Sequence, residues 1–455
     1  AKKSLGVTIS HLRFSDEPIR SSYFVKQADF IAAHNQTYIQ NYDIVSELKE
    51  GGTILLNCPW KPEELTEKIP ADIRRKLARK KAKLYTINAV EIAEKHGLGS
   101  HVNIPLQSAF FHLVGIIPIE DAKKYMEDAV RKTFFKKGDD VVNCNIAAIE
   151  DGGAMLVKID IPESWLNAQD EEKPHRRNVP EIVEKLLDPI NRQQGNDLPV
   201  SAFKGYEDGT VPLGLTAFEK RAIAVNVPEW DPSRCIECNR CSYVCPHAAI
   251  RPYLLTKEEK DAAPKGFLTK PAIGLKDMFF TMQISRDDCT GCGSCISVCP
   301  AKEKALTPVH IAESRSLPEE WEYALSLSDK EGLFDPWTVK GSQFKQPLLE
   351  FSAACAGCGE TPYAKLMTQL FGERVYWANA TGCTQAWGGG MPGIPYTKNK
   401  EGKGPAWSNS LFENNAEFSL GMFLSVRQQR EAQKMRAESL LAEDIPDALK
   451  DALNE

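Results

Sequence analysis

Short apolar runs alternate with amphipathic stretches over about the first 160 residues of the chain. The apolar runs predict strands at residues 5–10, 28–33, 53–57 and 84–87. Apolar positions at helical spacing predict helices at residues 63–83, 88–96 and 119–137, the last of which ends at Gly138. This alternation predicts a layered α/β domain with a largely parallel sheet, which we assign to residues 1–165.

A pair of glycines and two isolated cysteines in this domain could each have either a ligand-binding role or a purely structural one. Gly51 and Gly52 precede an apolar run, as in a turn that holds phosphate, but the three spaced glycines of a phosphate-binding fingerprint are missing. We therefore favour an ordinary turn. Cys58 and Cys144 have no partner at metal-ligand spacing, so we interpret both as small buried hydrophobic residues.

Prolines and polar residues interrupt the pattern in two places. Residues 166–228 are predicted to form a linker with one short helix near residues 179–187, followed by an extended connector. Residues 313–348 are predicted to form a second linker. Beyond it the pattern predicts a helix at residues 363–371, a strand at 375–380 and a long helix from 415 towards 441.

The composition is that of an ordinary globular protein, with 42% hydrophobic and 26% charged residues over 455 positions. At this length about three domains are expected. The net charge of −6 leaves no basic surplus for nucleic acid, and no apolar run approaches the ~20 residues of a membrane span. The N-terminus has no features of a signal peptide, so we expect a cytoplasmic, thiol-reducing compartment.

Two four-cysteine runs hold eight of the 13 cysteines. The first reads C-I-E-C-N-R-C-S-Y-V-C-P from Cys235, and the second reads C-T-G-C-G-S-C-I-S-V-C-P from Cys289. In this spacing, three close cysteines bind three irons of one [4Fe–4S] cluster, and the fourth cysteine binds the other cluster. We therefore predict two sets of ligands. The first set is Cys235, Cys238, Cys241 and Cys299, and the second set is Cys289, Cys292, Cys295 and Cys245.

Two other interpretations of these cysteines are weaker. Structural zinc sites commonly use two separated pairs of ligands, and two identical runs that each end in Cys-Pro do not fit that pattern. Disulfides do not suit a long charged chain in a reducing compartment. We assign residues 229–312 to a ferredoxin-like α+β domain with two clusters, and residues 255–278 to a surface excursion from it.

A third cysteine group follows near the end of the chain. Cys355 and Cys358 come just before a predicted helix, and Cys383 comes just after a predicted strand. Cys-x-x-Cys alone is typical of a redox dithiol, but with a third cysteine after a glycine turn it makes most of a further [4Fe–4S] site. Helix N-termini also favour anions such as thiolates and diphosphate. No fourth ligand is at hand, so we expect that the chain stops early or that another chain completes the site.

Several long strings resemble the thiamine-diphosphate 2-oxoacid oxidoreductases, and the pyruvate:ferredoxin (flavodoxin) oxidoreductases in particular. G-G-T-I-L-L-N from Gly51 and L-Q-S-A-F-F from Leu106 resemble the γ-type domain of that family. F-E-K-R from Phe218 is similar to its small EKR-type domain, and the doubled cysteine run matches its eight-iron domain. C-A-G-C-G-E-T-P-Y, A-N-A-T-G-C and G-P-A-W-S-N-S-L-F-E-x-N-A-E resemble the start of its thiamine-diphosphate domain.

The resemblance implies a multidomain α/β fold. Residues 1–165 would form a γ-type α/β domain, and residues 166–228 a linker with the EKR-type small domain. Residues 229–312 would form the two-cluster ferredoxin-like α+β domain. After a second linker at residues 313–348, residues 349–455 would form part of a thiamine-diphosphate-binding α/β domain. It also implies a reaction, the oxidative decarboxylation of pyruvate to acetyl-coenzyme A and CO2. Coenzyme A would be the cosubstrate, and the electrons would leave through three [4Fe–4S] clusters to ferredoxin or flavodoxin.

Residue by residue, the resemblance makes Cys355, Cys358 and Cys383 ligands of the cluster nearest the thiamine cofactor. The residues that would contact that cofactor are Glu360, Thr381 and Gly382. The resemblance further implies Mg2+ on the diphosphate and a homodimer at full length.

The sequence also departs from the family. The glutamate that activates the thiamine cofactor, the Mg2+-binding G-D-G motif and the fourth ligand of the nearest cluster are not in this sequence. We therefore expect an internal fragment that does not turn over pyruvate alone and that acts with the remaining segments of the enzyme. The alternatives are a stand-alone electron-transfer subunit of another oxidoreductase, or the same family acting on a different 2-oxoacid.

Overall fold

The computed structural model describes residues 8–99, 101–170, 179–330, 332–390 and 393–454. The described chain forms two compact units, and the boundary falls between Ala202 and Phe203, inside the predicted 166–228 segment. They are called the N-terminal and the C-terminal unit below. Within the described residues, no helix is both long and apolar enough to span a membrane.

The N-terminal unit contains four strands and eight α-helices within its described residues. In chain order they are β1 (Ala28–Ala33), α1 (Gln36–Asn41), β2 (Leu48–Asn57), α2 (Leu65–Lys68), α3 (Ala71–Arg79), β3 (Lys83–Ile87), α4 (Ala89–Lys95), α5 (Asn103–Val114), α6 (Ile119–Phe134), α7 (Asp139–Ala154), β4 (Val157–Ile159) and α8 (Asp188–Asn191). A π-helical turn, Val183–Leu187, precedes α8 where the sequence predicts a short helix.

One sheet of order β1-β2-β3-β4 organises this unit. β1, β2 and β3 are parallel, and β4 adds an antiparallel edge, so the prediction of a largely parallel sheet is confirmed. Ile54 and Leu56 lie in one buried cluster and Leu55 in another, because successive side chains of a strand point to opposite faces. Burial on both faces explains why these strands are continuous apolar runs in the sequence.

The predicted helix at residues 63–83 is wrong as a single element. Pro70 separates α2 from α3, and the residue before it, Ile69, is extended (φ −92°, ψ 127°). A residue that precedes proline avoids the helical region because the proline ring crowds its backbone. The chain then enters β3 at Lys83, at the end of the predicted helix. Of the strand predicted at 5–10, residues 5–7 lie outside the described residues and 8–10 have no regular structure.

Gly51 and Gly52 do not form a turn ahead of a strand, since both lie within β2. Gly51 has a φ of +70°, and the pairing of β1 with β2 shifts register beside it. The glycines therefore make an irregularity in the strand, which needs the left-handed backbone that glycine adopts freely. Cys58 is buried as predicted, whereas Cys144 is only half-buried.

The C-terminal unit contains shorter strands and helices. They are β5 (Asn226–Trp230), α9 (Arg240–Val244), β6 (Ile250–Leu255), α10 (Lys257–Asp261), β7 (Lys270–Pro271), β8 (Phe279–Ile284), α11 (Ser294–Ser297), β9 (Leu306–His310), α12 (Pro318–Ser326), α13 (Val339–Ser342), α14 (Thr361–Phe371), β10 (Tyr376–Asn379), α15 (Cys383–Gly388), β11 (Ala406–Asn409), α16 (Asn415–Leu441) and α17 (Asp447–Asn454). The predicted helix at 363–371, the strand at 375–380 and the long helix from 415 are confirmed.

Three small sheets support the cysteine runs and the third cysteine group. β5 pairs with β9 and β6-β8-β7 form a second sheet, both antiparallel, while β10 and β11 pair in parallel. The core between the antiparallel sheets contains Trp230, Phe280 and Ile284 together with the cysteines Cys241 and Cys295. Four cysteines of the two runs therefore belong to or pack against this core, namely Cys235, Cys241, Cys245 and Cys295.

Two segments that were predicted to be plain connections are folded parts of this unit. Residues 255–278 are not only a surface excursion, because Thr256 and Glu259 form a capping box at α10 and β7 joins the sheet of β6 and β8. Residues 313–348 contain α12 and α13, and the buried Trp321 of α12 packs against Phe351. The prediction of a linker there is wrong because these helices are too short for a strong periodic pattern.

Candidate metal centres

The second set of cysteines lines a single cavity. Cys245, Cys289, Cys292 and Cys295 all contribute to the wall of a space of about 190 Å³. Gly291 belongs to the same wall, and its backbone N–H donates to the Sγ of Cys289 at 3.4 Å. The four cysteines that the crossed spacing predicts thus line one cavity.

The first set is grouped around Cys241. Burial raises the pKa of the Cys241 thiol, and the nearby thiolates of Cys235, Cys238 and Cys299 raise it further. Cys299 is far from the other three in sequence, yet it acts on the same thiol. These neighbours are the set that the crossed spacing predicts.

Burial also raises the pKa of two thiols in the second set, to about 12 for Cys289, and it raises that of Cys295 as well. The thiolate of Cys295 is disfavoured first by burial and then by the charges of Cys245 and Cys289. Several buried thiolates side by side need a cation to offset their repulsion. The chemistry of the donors therefore fits a metal cluster in both sets.

Within the described residues, no three His, Cys, Asp or Glu side chains converge closely enough to hold a single metal ion. A cubane cluster makes a different demand, because each of its four cysteines binds a different iron and the sulfurs surround a space. All 13 cysteines lie within the described residues, and none of them is in a disulfide bond. The two sets therefore fit [4Fe–4S] clusters, and that they bind them remains a proposal.

The third cysteine group lies at the starts of two helices. Cys355 and Cys358 form a turn, in which the N–H of Cys358 donates to the carbonyl of Cys355 at 3.0 Å, and α14 begins three residues later. Cys383 is the first residue of α15. The indole of Trp387 in α15 donates to the carboxylate of Glu360 at 3.0 Å, which ties the two helix starts together. Cys355 and Cys383 are exposed.

The predicted thiamine contacts lie in the same place. Thr381 and Gly382 follow β10 and are exposed, and a β-carbon on Gly382 would meet no atom within 4 Å. Glu360 is also exposed, and one of its oxygens accepts the Trp387 bond. These residues leave open space at the carboxyl end of a parallel strand, where ligands of α/β folds commonly bind. They fit a ligand there without identifying it.

The second set lies directly beside the third cysteine group. A β-carbon placed on Gly357, between Cys355 and Cys358, would lie 3.7 Å from the Cβ of Cys292. Gly357 has a φ of +72°, which glycine adopts without strain. The left-handed backbone therefore favours glycine at this position, and the contact places the third group beside the second set.

The F-E-K-R string, to which the residues alone assign no role, holds this arrangement together. Lys220 forms an ion pair with the buried carboxylate of Asp288, the residue before the second run. Arg221 donates to the backbone carbonyls of Phe351 at 2.8 Å and Ser352 at 3.3 Å, just ahead of the third group. Adjacent charges in a connector that is otherwise rich in glycine were the signal available in the sequence.

Comparison with known proteins bears on each part of the chain. Residues 1–155 match the pyruvate ferredoxin/flavodoxin oxidoreductase family, and residues 168–224 match the EKR domain, a domain of unknown function. Residues 234–302 and 281–329 both match 4Fe-4S dicluster domains. Together with the two cysteine sets, these matches assign residues 234–329 to the class of 4Fe-4S dicluster domains.

The sequence relatives are more specific. A pyruvate:ferredoxin oxidoreductase of Moorella thermoacetica is 51% identical over 95% of this chain, and a pyruvate-flavodoxin oxidoreductase of Klebsiella pneumoniae is 50% identical over 100% of it. The chain therefore belongs to the pyruvate:ferredoxin/flavodoxin oxidoreductase family. It spans 37% and 39% of the lengths of these two relatives.

A solved structure, a pyruvate oxidoreductase subunit of Thermotoga maritima, is also similar to part of the chain. It is 22% identical, covers 30% of this chain and 67% of its own, and has a TM-score of 0.25. Similarity at that level carries no argument about function.

Proposed function

We propose that this chain is the electron-transfer portion of a pyruvate:ferredoxin or pyruvate:flavodoxin oxidoreductase. In that reaction pyruvate and coenzyme A give acetyl-coenzyme A and CO2, and two electrons pass one at a time to ferredoxin or flavodoxin. The names of the two relatives, which match nearly the whole chain, support this choice of substrate and acceptor.

The observation that carries the proposal is the order of the three cysteine sites. The third group lies against the second set through Gly357 and Cys292. Cys245 of the first run lines one cavity with Cys289, Cys292 and Cys295, and Cys299 of the second run acts on the thiol of Cys241. A [4Fe–4S] cluster accepts and releases one electron at a time when bound. We infer that electrons enter at Cys355, Cys358 and Cys383, cross to the second set and leave from the first.

The chain's own residues have three tasks in this scheme. The core around Cys241 and Cys295 excludes water from the sulfurs. The backbone N–H of Gly291 donates to a sulfur, and such bonds and burial are what set cluster potentials. The ion pair of Lys220 and the hydrogen bond of Arg221 fix the positions of the second run and of the segment before the third group.

We further propose that Glu360, Thr381 and Gly382 contact thiamine diphosphate. When bound, thiamine diphosphate supplies the stabilised carbanion that decarboxylation of a 2-oxoacid requires. The exposed backbone at Thr381 and Gly382 leaves room for the cofactor, and Trp387 orients the Glu360 carboxylate. Mg2+ and coenzyme A belong to the proposed reaction, and no residue of this chain is assigned to either.

Anaerobic reconstitution of the full chain with iron and sulfide tests the proposal. We expect about eight iron atoms and eight sulfides per chain from the two complete sets, with the EPR spectrum of reduced [4Fe–4S] clusters. The matched control is Cys144→Ala, which removes a half-buried cysteine outside all three groups and should leave the iron content unchanged. Stoichiometric zinc with little iron would overturn the proposal.

A further inference from the structure

A buried lysine lies between the two cysteine sets. Lys365 belongs to α14, which begins just after Cys358, and its side chain is only 2% exposed. Its Nζ reaches out of its own helix to the end of α9, the helix that carries Cys241 and leads to Cys245. The segment of the third cysteine group therefore places a side chain inside the two-cluster core.

The ammonium group of Lys365 has one backbone acceptor for each of its hydrogens. It donates to the carbonyl of Ser242, and to those of Tyr243 and Cys245 at 3.2 Å each. Ser242 and Tyr243 lie in the last turn of α9 and Cys245 follows it, where carbonyls lack the full set of helix partners, although that of Ser242 also accepts from the N–H of Cys245 at 3.1 Å. Three acceptors match the three N–H groups of a protonated lysine.

Cysteines of both sets place negative charge close to the ammonium group of Lys365. Burial lowers the pKa of Lys365 to about 8, and the Arg251 guanidinium lowers it too, whereas the charges of Cys245 and Cys241 favour its protonated form. Cys241 belongs to the first set and Cys245 to the second. A helix end could be capped by a neutral donor, whereas burying a full positive charge costs several kcal/mol unless negative groups offset it.

We propose that the positive charge of Lys365 raises the reduction potentials of the clusters held by both cysteine sets. The inference rests on the proposed function, since it requires that the two sets hold clusters. Each reduction adds one negative charge to a cluster, and a fixed positive charge in a buried, low-dielectric site stabilises the reduced form more than the oxidised form. Lys365 thereby makes both clusters better acceptors for electrons from the third group.

The test is an anaerobic redox titration of the reconstituted full chain, followed by EPR. For Lys365→Met and Lys365→Gln we expect reduction to become roughly tenfold less favourable, which corresponds to midpoint potentials about 59 mV more negative. Gln retains amide donors for the backbone carbonyls but carries no charge, so it separates charge from hydrogen bonding.

The control is Thr368→Val, one turn along α14. Thr368 is 1% exposed, and its hydroxyl donates to the carbonyl of Lys365 at 2.7 Å and accepts from the N–H of Leu348 at 3.0 Å. Its replacement should lower the thermal midpoint without moving the potentials. Neutral Lys365 variants that keep their clusters at wild-type potentials would overturn the inference.

If both neutral variants lose their clusters, Lys365→Arg decides. Clusters at wild-type potentials in that variant support the role of the charge, and loss of clusters there too assigns Lys365 a structural role and overturns the inference. Failure of the proposed function has a different signature. In that case the wild-type chain itself would show no [4Fe–4S] signal.

Discussion

The two cysteine runs have the same backbone conformation at two positions but place different types of residue there. Glu237 and Gly291 each lie two residues after the first cysteine of their run, with φ of 58° and 68°. Asn239 and Gly293 each lie four residues after it, with φ of 58° and 74°. Left-handed backbone at both positions follows from wrapping three cysteines around one cluster. The first run meets this demand with side chains and the second with glycine.

Side chains hold the first loop beneath the segments that cover it. The buried carboxylate of Glu237 accepts the N–H of Ile273 at 3.0 and 3.1 Å and lies 3.7 Å from the ammonium groups of Lys270 and Lys340. The amide of Asn239 donates to the carbonyl of Lys340 at 2.9 Å. These bonds offset the strain of left-handed backbone at residues other than glycine.

Glycine leaves the second loop open to close neighbours. A β-carbon on Gly291 would lie 3.0 Å from the carbonyl oxygen of Asn226, and Cys292 is exposed beside Gly357. The loop that has glycine at both positions is thus the one that faces the third cysteine group. Of the two glycines in the second loop, Gly291 is the one with a close neighbour, at the start of β5, and a β-carbon on Gly293 would meet no atom within 4 Å.

The largest effect should come from breaking the exchange of cysteines between the runs. If the fourth cysteines are exchanged, Cys241→Ser with Cys299→Ser damages one cluster, whereas Cys241→Ser with Cys245→Ser damages both. We expect about four iron atoms per chain in the first double variant and close to none in the second, by iron and sulfide analysis. The reverse result would show that each run holds its own cluster.

The grouping of Cys245 with the cysteines of the second run was predictable because ligand spacing follows from the size of the cluster, which is independent of the rest of the fold. The parallel sheet of the N-terminal unit was predictable for a similar reason, since burial on both faces requires continuous apolar strands. The contacts that cover the first loop could not be predicted, because Ile273 and Lys340 are distant from it in sequence. Short helices such as α13 also carry too few residues for a periodic signal. The inward position of Lys365 was missed because a lysine in an amphipathic helix ordinarily faces water.

The next effect concerns the side chain that fixes the first loop. Glu237→Ala removes the acceptor of the Ile273 N–H and the counter-charge of two lysines, so we expect about 3 kcal/mol less free energy of unfolding for the C-terminal unit. Anaerobic urea denaturation followed by cluster absorbance measures it. As a control, Glu431→Gln breaks an exposed pair with Arg427 and should change stability by no more than about 0.5 kcal/mol. Equal effects would refute the special role of Glu237.

A smaller loss is expected at the matching position of the second loop. Gly291→Ala adds a β-carbon in left-handed backbone, 3.0 Å from the carbonyl oxygen of Asn226, so we expect a cost of about 2 kcal/mol. The same denaturation experiment measures it. A neutral Gly291→Ala would show that the close contact with β5 does not constrain this loop.

The smallest effect distinguishes backbone strain from close contact. Gly293 has a φ of +74°, but a β-carbon there would meet no atom within 4 Å, so Gly293→Ala should cost only about 1 kcal/mol, less than Gly291→Ala. Gly293→Asn places in the second loop the residue that the first loop has at the same position. Asparagine tolerates left-handed backbone better than alanine, so this variant should be more stable than Gly293→Ala. If the asparagine variant is instead the less stable of the two, then the shared backbone does not make these positions equivalent.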